Sequence, residues 1–215
     1  IGLFTDPSKH LLINVSYVVT GLSWFAFGIV LILVYLKRKQ KEEAKQIADD
    51  VKELLSKHKT KIKSIYYKYR GPETGSNFHE FYVKDTKIKY KPSRETQSLD
   101  LQDSYDSIFI DKTAKTAQSY CEAAYCAYKG KKADLNYESA YIATVFDWID
   151  AAEAVKTGEE VIESRSTWKL ETNKGILWVD AFYGVPLKVE SEGKTYRFEQ
   201  IAVNTVQDLD VIPSS

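Results

Sequence analysis

Along the chain, the spacing of apolar positions falls into three regimes. Residues 11–36, LLINVSYVVTGLSWFAFGIVLILVYL, hold no Asp, Glu, Lys, Arg or His and are apolar on every side of a helix. At ~1.5 Å rise per residue they make roughly 39 Å of helix, against a hydrocarbon core of about 30 Å. Asp6, Lys9 and His10 precede the run, and Lys37, Arg38, Lys39 and Lys41 follow it at once. Tyr17 and Tyr35 lie near its two ends, where amphipathic rings favour the headgroup level. The pattern predicts one transmembrane helix over 11–36, with 1–10 as its N-terminal flank. It is longer than the roughly 7–15 apolar residues of a secretory signal, and neither a basic lead-in nor an A-x-A cleavage site accompanies it.

The spacing then turns to threes and fours. Residues 37–59 read as a basic juxtamembrane cluster running into an amphipathic helix, with Ala44, Ile47, Val51, Leu54 and Leu55 as its apolar stripe. Such a stripe needs a partner. Its own domain can supply one, and a second copy in a short coiled coil is the alternative.

From Thr60 the period falls to two, and residues 60–215 read as one antiparallel domain. Ile65, Tyr67 and Tyr69 share a face in a strand over 61–70, and 71–76 (GPETGS) is a turn cluster. Residues 78–84 and 87–91 form a hairpin around Asp85–Thr86, stopped by Pro92. A polar loop leads to strands over 106–111, 117–123 and 125–129, and 130–139 reads as another loop. Phe146, Ile149, Ala152 and Val155 recur every third residue, which predicts a second helix over 144–158, capped by Thr144 with Asp147 and ended by Gly158. The remainder reads as a meander of strands over 161–172, 175–184, 186–191 and 195–206, with Pro186 placed to begin a strand.

Composition narrows the functions. The chain of 215 residues has 30 basic and 30 acidic side chains, so no basic surplus points to nucleic acid. The two cysteines, Cys121 and Cys126, flank a short connection between predicted strands. They suit a disulfide across a hairpin, worth about 2 kcal/mol for so small a loop, with two separate thiols as the alternative. His10, His58 and His79 complete no ligand cluster, so no metal is expected. No nucleotide loop, nucleophile elbow or H-E-x-x-H motif occurs, so neither an enzyme nor a cofactor is expected. Asn14-Val-Ser16 matches a glycosylation acceptor but lies inside the apolar run.

The order of elements, with Trp178-Val179-Asp180, Gly184-Val185-Pro186-Leu187-Lys188 and Val203-Asn204 in the later strands, resembles the LolA/LppX-type lipoprotein-carrier superfamily over roughly residues 44–213. The resemblance implies an α+β fold: a strongly curved, unclosed antiparallel β-sheet, a half-barrel, wrapped around one or two helices. It also implies binding of an acyl chain or other apolar ligand in the hollow, without covalent chemistry. Strand parity nominates Ile65, Tyr67, Phe81, Val83, Trp168, Leu170 and Trp178 for the hollow's lining; the same residues serve equally as a closed core.

Two functions follow. One is a membrane-anchored envelope protein that binds lipid or another hydrophobe. The other is a structural or accessory subunit of a membrane complex or surface filament, with protein partners along the transmembrane and amphipathic helices. Topology is argued both ways. Lys37–Lys41 places the C-terminal domain inside by the positive-inside rule, whereas the cysteines and the resemblance place it outside; the expectation is outside.

Overall fold

The computed structural model describes residues 7–92, 105–122, 132–149 and 154–213, with side chains described from residue 27 onward. The chain divides into two compact units, residues 1–47 and 48–215.

The first unit lies on α1 (Pro7–Lys61), which runs through the whole predicted span and the amphipathic segment without interruption. Among the described residues no helix is long and apolar enough to cross a membrane. Of the expected span only 27–36 has described side chains, and there Phe27, Leu31, Leu33 and Tyr35 are 53–66% exposed.

The second unit is a single antiparallel sheet of eleven strands: β1 (Ser64–Arg70), β2 (His79–Lys84), β3 (Lys87–Lys91), β4 (Ser107–Asp111), β5 (Thr116–Tyr120), β6 (Lys132–Leu135), β7 (Ala154–Ile162), β8 (Arg165–Thr172), β9 (Gly175–Asp180), β10 (Pro186–Ser191) and β11 (Lys194–Val203). Their order is β6-β5-β4-β3-β2-β1-β11-β10-β9-β8-β7. Two meanders, β1–β6 and β7–β11, are therefore joined where the first strand pairs with the last, Ile65 opposite Val203. The two outermost strands do not pair with each other, so the sheet is unclosed. Two short helices, α2 (Tyr137–Ala140) and α3 (Val145–Ile149), lie between the meanders in sequence, and a 3₁₀ turn (Asp208–Val211) ends the described chain.

One face of the sheet carries the helices. The last turns of α1 bury Val51 and Leu54 in the core, and Leu55 packs beside them. The unit's own sheet is thus the partner of the amphipathic stripe, while Ile47 stays 46% exposed. His58 is also buried here, its Nδ1 bonded to the Leu55 carbonyl at 2.6 Å and its ring 5.6 Å from Phe146.

Three expectations are corrected. Of the helix expected over 144–158 the described part is α3, and residues from Ala154 form strand β7. Thr144 and Asp147 do cap α3, but Val155, Thr157, Val161 and Ile162 are β-branched, and pairing with β8 recruits them to the sheet. The strand over 161–172 is cut at Glu163–Ser164, both at positive φ (50° and 63°), the backbone a two-residue hairpin turn requires. The loop over 130–139 contains β6 and α2, the latter capped by the Asn136 side chain accepting from the Ser139 amide at 3.0 Å. The strand over 125–129 and Cys126 lie outside the described residues. Cys121 is fully buried, and among the described residues there is no free cysteine.

Candidate ligand-binding face

Cross-strand register decides which nominated residues share a face. Tyr67 stands opposite Phe81, and Ile65 opposite Val83. On the other meander Leu170 stands opposite Leu177, and Trp168 opposite Val179. These six nominated side chains point to the helix-bearing face. Trp178 does not. It is paired with Lys169 and Lys188 and faces the other way, its ring covered by their ammonium groups at 5.1 and 4.1 Å. In β9, alternation puts Leu177 and Val179 inward, so the most conspicuous aromatic of that strand points outward.

Ile65, Tyr67, Phe81 and Leu170 are 0% exposed and Val83 is 2% exposed, while Trp168 is half-buried. Tyr67 stacks on Phe81 at 5.1 Å, Tyr90 stacks on the same Phe81 at 5.1 Å, and Phe198 meets Tyr67 edge-on at 5.5 Å. Stacked and edge-to-face pairs at these distances are favourable beyond the area they bury. A cavity of about 320 Å³ lies between the β7–β8 turn and Leu187, Lys188, Arg197 and Glu199 of β10 and β11. Another of about 290 Å³ lies around Arg165, Asp180 and Phe182.

The polar groups on this face are mostly committed. Asp147 accepts from Lys112 Nζ at 2.8 Å, from the Tyr141 hydroxyl at 2.5 Å, and from the amide and hydroxyl of Thr144 at 2.7 and 2.6 Å. Burial alone would raise its carboxyl pKa; these hydrogen bonds outweigh it and hold the group below the ordinary carboxylate range. Lys174 Nζ adds a bond to the Asp147 carbonyl, so α3 is pinned to the sheet from both meanders. At the β1–β2 end, the Tyr69 hydroxyl donates to Glu73 at 2.7 Å. Burial pushes the Tyr90 hydroxyl up to about 12 and lowers the His79 imidazole below 6.5. The hydroxyl of Tyr67 and the indole N–H of Trp148 have no hydrogen-bond partner. Among the described residues no cluster of three or more His, Cys, Asp or Glu side chains can hold a metal.

The sequence motif in the later strands has a structural explanation. Asp180 is 3% exposed; its Oδ1 accepts from the amides of Phe182 and Tyr183 at 2.8 and 2.7 Å, and its Oδ2 meets Arg165 at 3.3 Å. That turn delivers Gly184 at φ +72°, where a Cβ would sit 2.2 Å from the Leu54 carbonyl oxygen. Only glycine allows both the backbone conformation and the approach of α1. Asn204 accepts from the amides of Lys63 and Ser64 and donates to the Lys61 carbonyl at 2.9 Å, fastening the helix end to the joined strands.

No protein-family model matches the chain, and no curated protein matches it. Solved structures do. A LolA superfamily protein is among them. That protein, from Nitrosomonas europaea, is 9% identical with a TM-score of 0.31, covering 76% of this chain and 97% of its own. A DUF1329 family protein from Desulfovibrio piger is 10% identical with a TM-score of 0.32, covering 77% and 95%. The MucA/MucB complex of Pseudomonas aeruginosa gives 12% identity and a TM-score of 0.44, covering 79% of this chain and 61% of the other. This chain therefore spans about three fifths of that relative's length. The likeness is one of fold alone.

Proposed function

We propose that the chain is a membrane-anchored, non-enzymatic envelope protein whose sheet domain holds an apolar ligand, an acyl chain, on its helix-bearing face. The observation that carries this reading is the continuity of that face. One cluster of buried apolar side chains runs across both meanders, from Ile110 and Ile88 through Tyr67 and Phe198 to Val189 and Leu170. Besides the end of α1, its described helical cover is only a four-residue and a five-residue helix. A lipid tail taken between sheet and cover would gain ~0.8 kcal/mol per buried CH₂, enough to exchange for the contacts of so thin a lid.

Anchoring is supported by residues 27–36 of α1. They are exposed and apolar on every side, as a helix is when lipid rather than water is its solvent. We place the sheet domain outside the cytoplasm, with Cys121 and Cys126 joined. Membrane-impermeant thiol labelling of intact cells, with and without reductant, tests both points, because labelling that appears only with reductant supports both and labelling without reductant denies the bond.

The filled state of the face favours a second reading, an accessory subunit that binds protein rather than lipid. Tyr67, Phe81 and Phe198 already occupy the centre of the face at 0% exposure. Lipid extraction and mass spectrometry of the full chain purified from its native membrane separate the two. Stoichiometric acyl material supports the first reading, whereas a ligand-free chain that cross-links to a neighbour supports the second.

A further inference from the structure

Buried hydroxyl and indole N–H groups in folded proteins nearly always have a hydrogen-bond partner. On the helix-bearing face, among the described residues, the Tyr67 hydroxyl and the Trp148 indole N–H have none. Tyr67 is 0% exposed, between the rings of Phe81 and Phe198. The Val145 amide, opening α3, faces the phenol oxygen without completing a hydrogen bond. An amide offers a hydrogen, so the phenol's own hydrogen stays unused. The carboxylate of Asp147 acts on Tyr67 only through space, both its oxygens being taken by Lys112, Tyr141 and Thr144.

A phenylalanine would fill the same volume without the cost of an unsatisfied buried hydroxyl. The phenol still has its hydrogen to give, so the complementary group on a ligand is an acceptor. We infer that the Tyr67 hydroxyl recognises the carbonyl or carboxylate oxygen at the head of an acyl ligand. This rests on the ligand-binding reading above. The acceptor reaches Tyr67 when α2 and α3 yield.

The test is native mass spectrometry of the full chain released from detergent, for wild type and Tyr67→Phe, with oleate, methyl oleate or 1-octadecene at equal concentration. Thermal melting of the ligand-free proteins is measured in parallel. Tyr67→Phe is expected to lose about tenfold or more in oleate binding, a difference typical of one buried hydrogen bond to a charged group. It is expected to keep 1-octadecene binding and to melt higher than wild type without ligand. A loss shared by methyl oleate assigns the acceptor to the carbonyl; a loss confined to oleate assigns it to the carboxylate. Equal oleate binding by the two proteins, or a lower melting temperature for the ligand-free variant, overturns the inference and leaves the ligand-binding reading standing. A wild-type chain that binds none of the three probes overturns both.

Discussion

On the helix-bearing face Tyr67 lies flat on Phe81, and Phe81 lies flat on Tyr90, ring upon ring across three adjacent strands. On the opposite face Trp178 is nearly as deeply buried, at 4% exposure, yet among the described residues no ring pairs with it. Lysine stems from the two neighbouring strands cover it. Tyr82 and Phe109 lie between these cases, with the Lys89 ammonium 5.8 and 5.2 Å from their centroids and a ring beside each, Tyr66 at 5.1 Å and Tyr120 at 6.1 Å. Phe81 is thus buried against rigid rings, and Trp178 under long lysine arms. The first kind of burial leaves little room to relax. The second is made by long, rotatable stems and rearranges at small cost.

The largest expected effect tests that difference directly. Phe81→Ala removes a ring shared by Tyr67, Tyr69 and Tyr90 and is expected to cost about 3–5 kcal/mol in urea unfolding. Trp178→Ala, although it deletes a larger side chain, is expected to cost less, because the stems of Lys169 and Lys188 can collapse into the space. Equal losses would break the comparison.

An intermediate effect belongs to the rigid face alone. Burial holds the His79 imidazole below its ordinary 6.5, with Glu73 pulling the other way and being outweighed; Tyr69 and Tyr90 are its ring neighbours. Its folded pKa is depressed, so the unfolded chain takes the proton first. The stability it contributes is complete above about 6.5 and drains away as the pH falls from there through the folded value. Melting temperatures measured from about pH 8 down to about pH 5 should fall for wild type and fall less steeply for His79→Phe. Identical slopes would show that His79 is not the group responsible.

The smallest effect should come from Lys169→Ala, which uncovers one side of Trp178 and is expected to cost ~1 kcal/mol or less. A cost approaching that of Phe81→Ala would mean that the charged cover is as rigid as the ring stack.

Much of this was legible in the residues. The alternation in Ile65, Tyr67 and Tyr69, the Asp85–Thr86 turn and the strand start at Pro186 follow from local chemistry, and the structure places them as that chemistry predicts. Parity failed where counting across a break was needed. A bulge in β7 between Lys156 and Gly158 and the positive φ at Glu163 and Ser164 are not announced by their residue types, so the hairpin there was invisible. Strand parity put Trp178 with the inward residues, whereas its pairing with two lysines turns it to the other face. The roles of Tyr90 and Phe198 depend on long-range register, which no single strand reveals. Asp180 and Gly184 were visible as a motif; what they do depends on α1 arriving at that turn, and only coordinates show it.

The pairing of β1 with β11 carries a consequence for biogenesis. The ribosome releases β1 more than a hundred residues before the strand that completes its second edge. Until Lys194–Val203 emerges, one meander waits with a bare edge of unpaired amides and carbonyls, open to any foreign strand that meets it. Chaperone protection during translation therefore matters most for this seam, and a nascent chain stalled shortly before residue 194 would be the species most prone to aggregate.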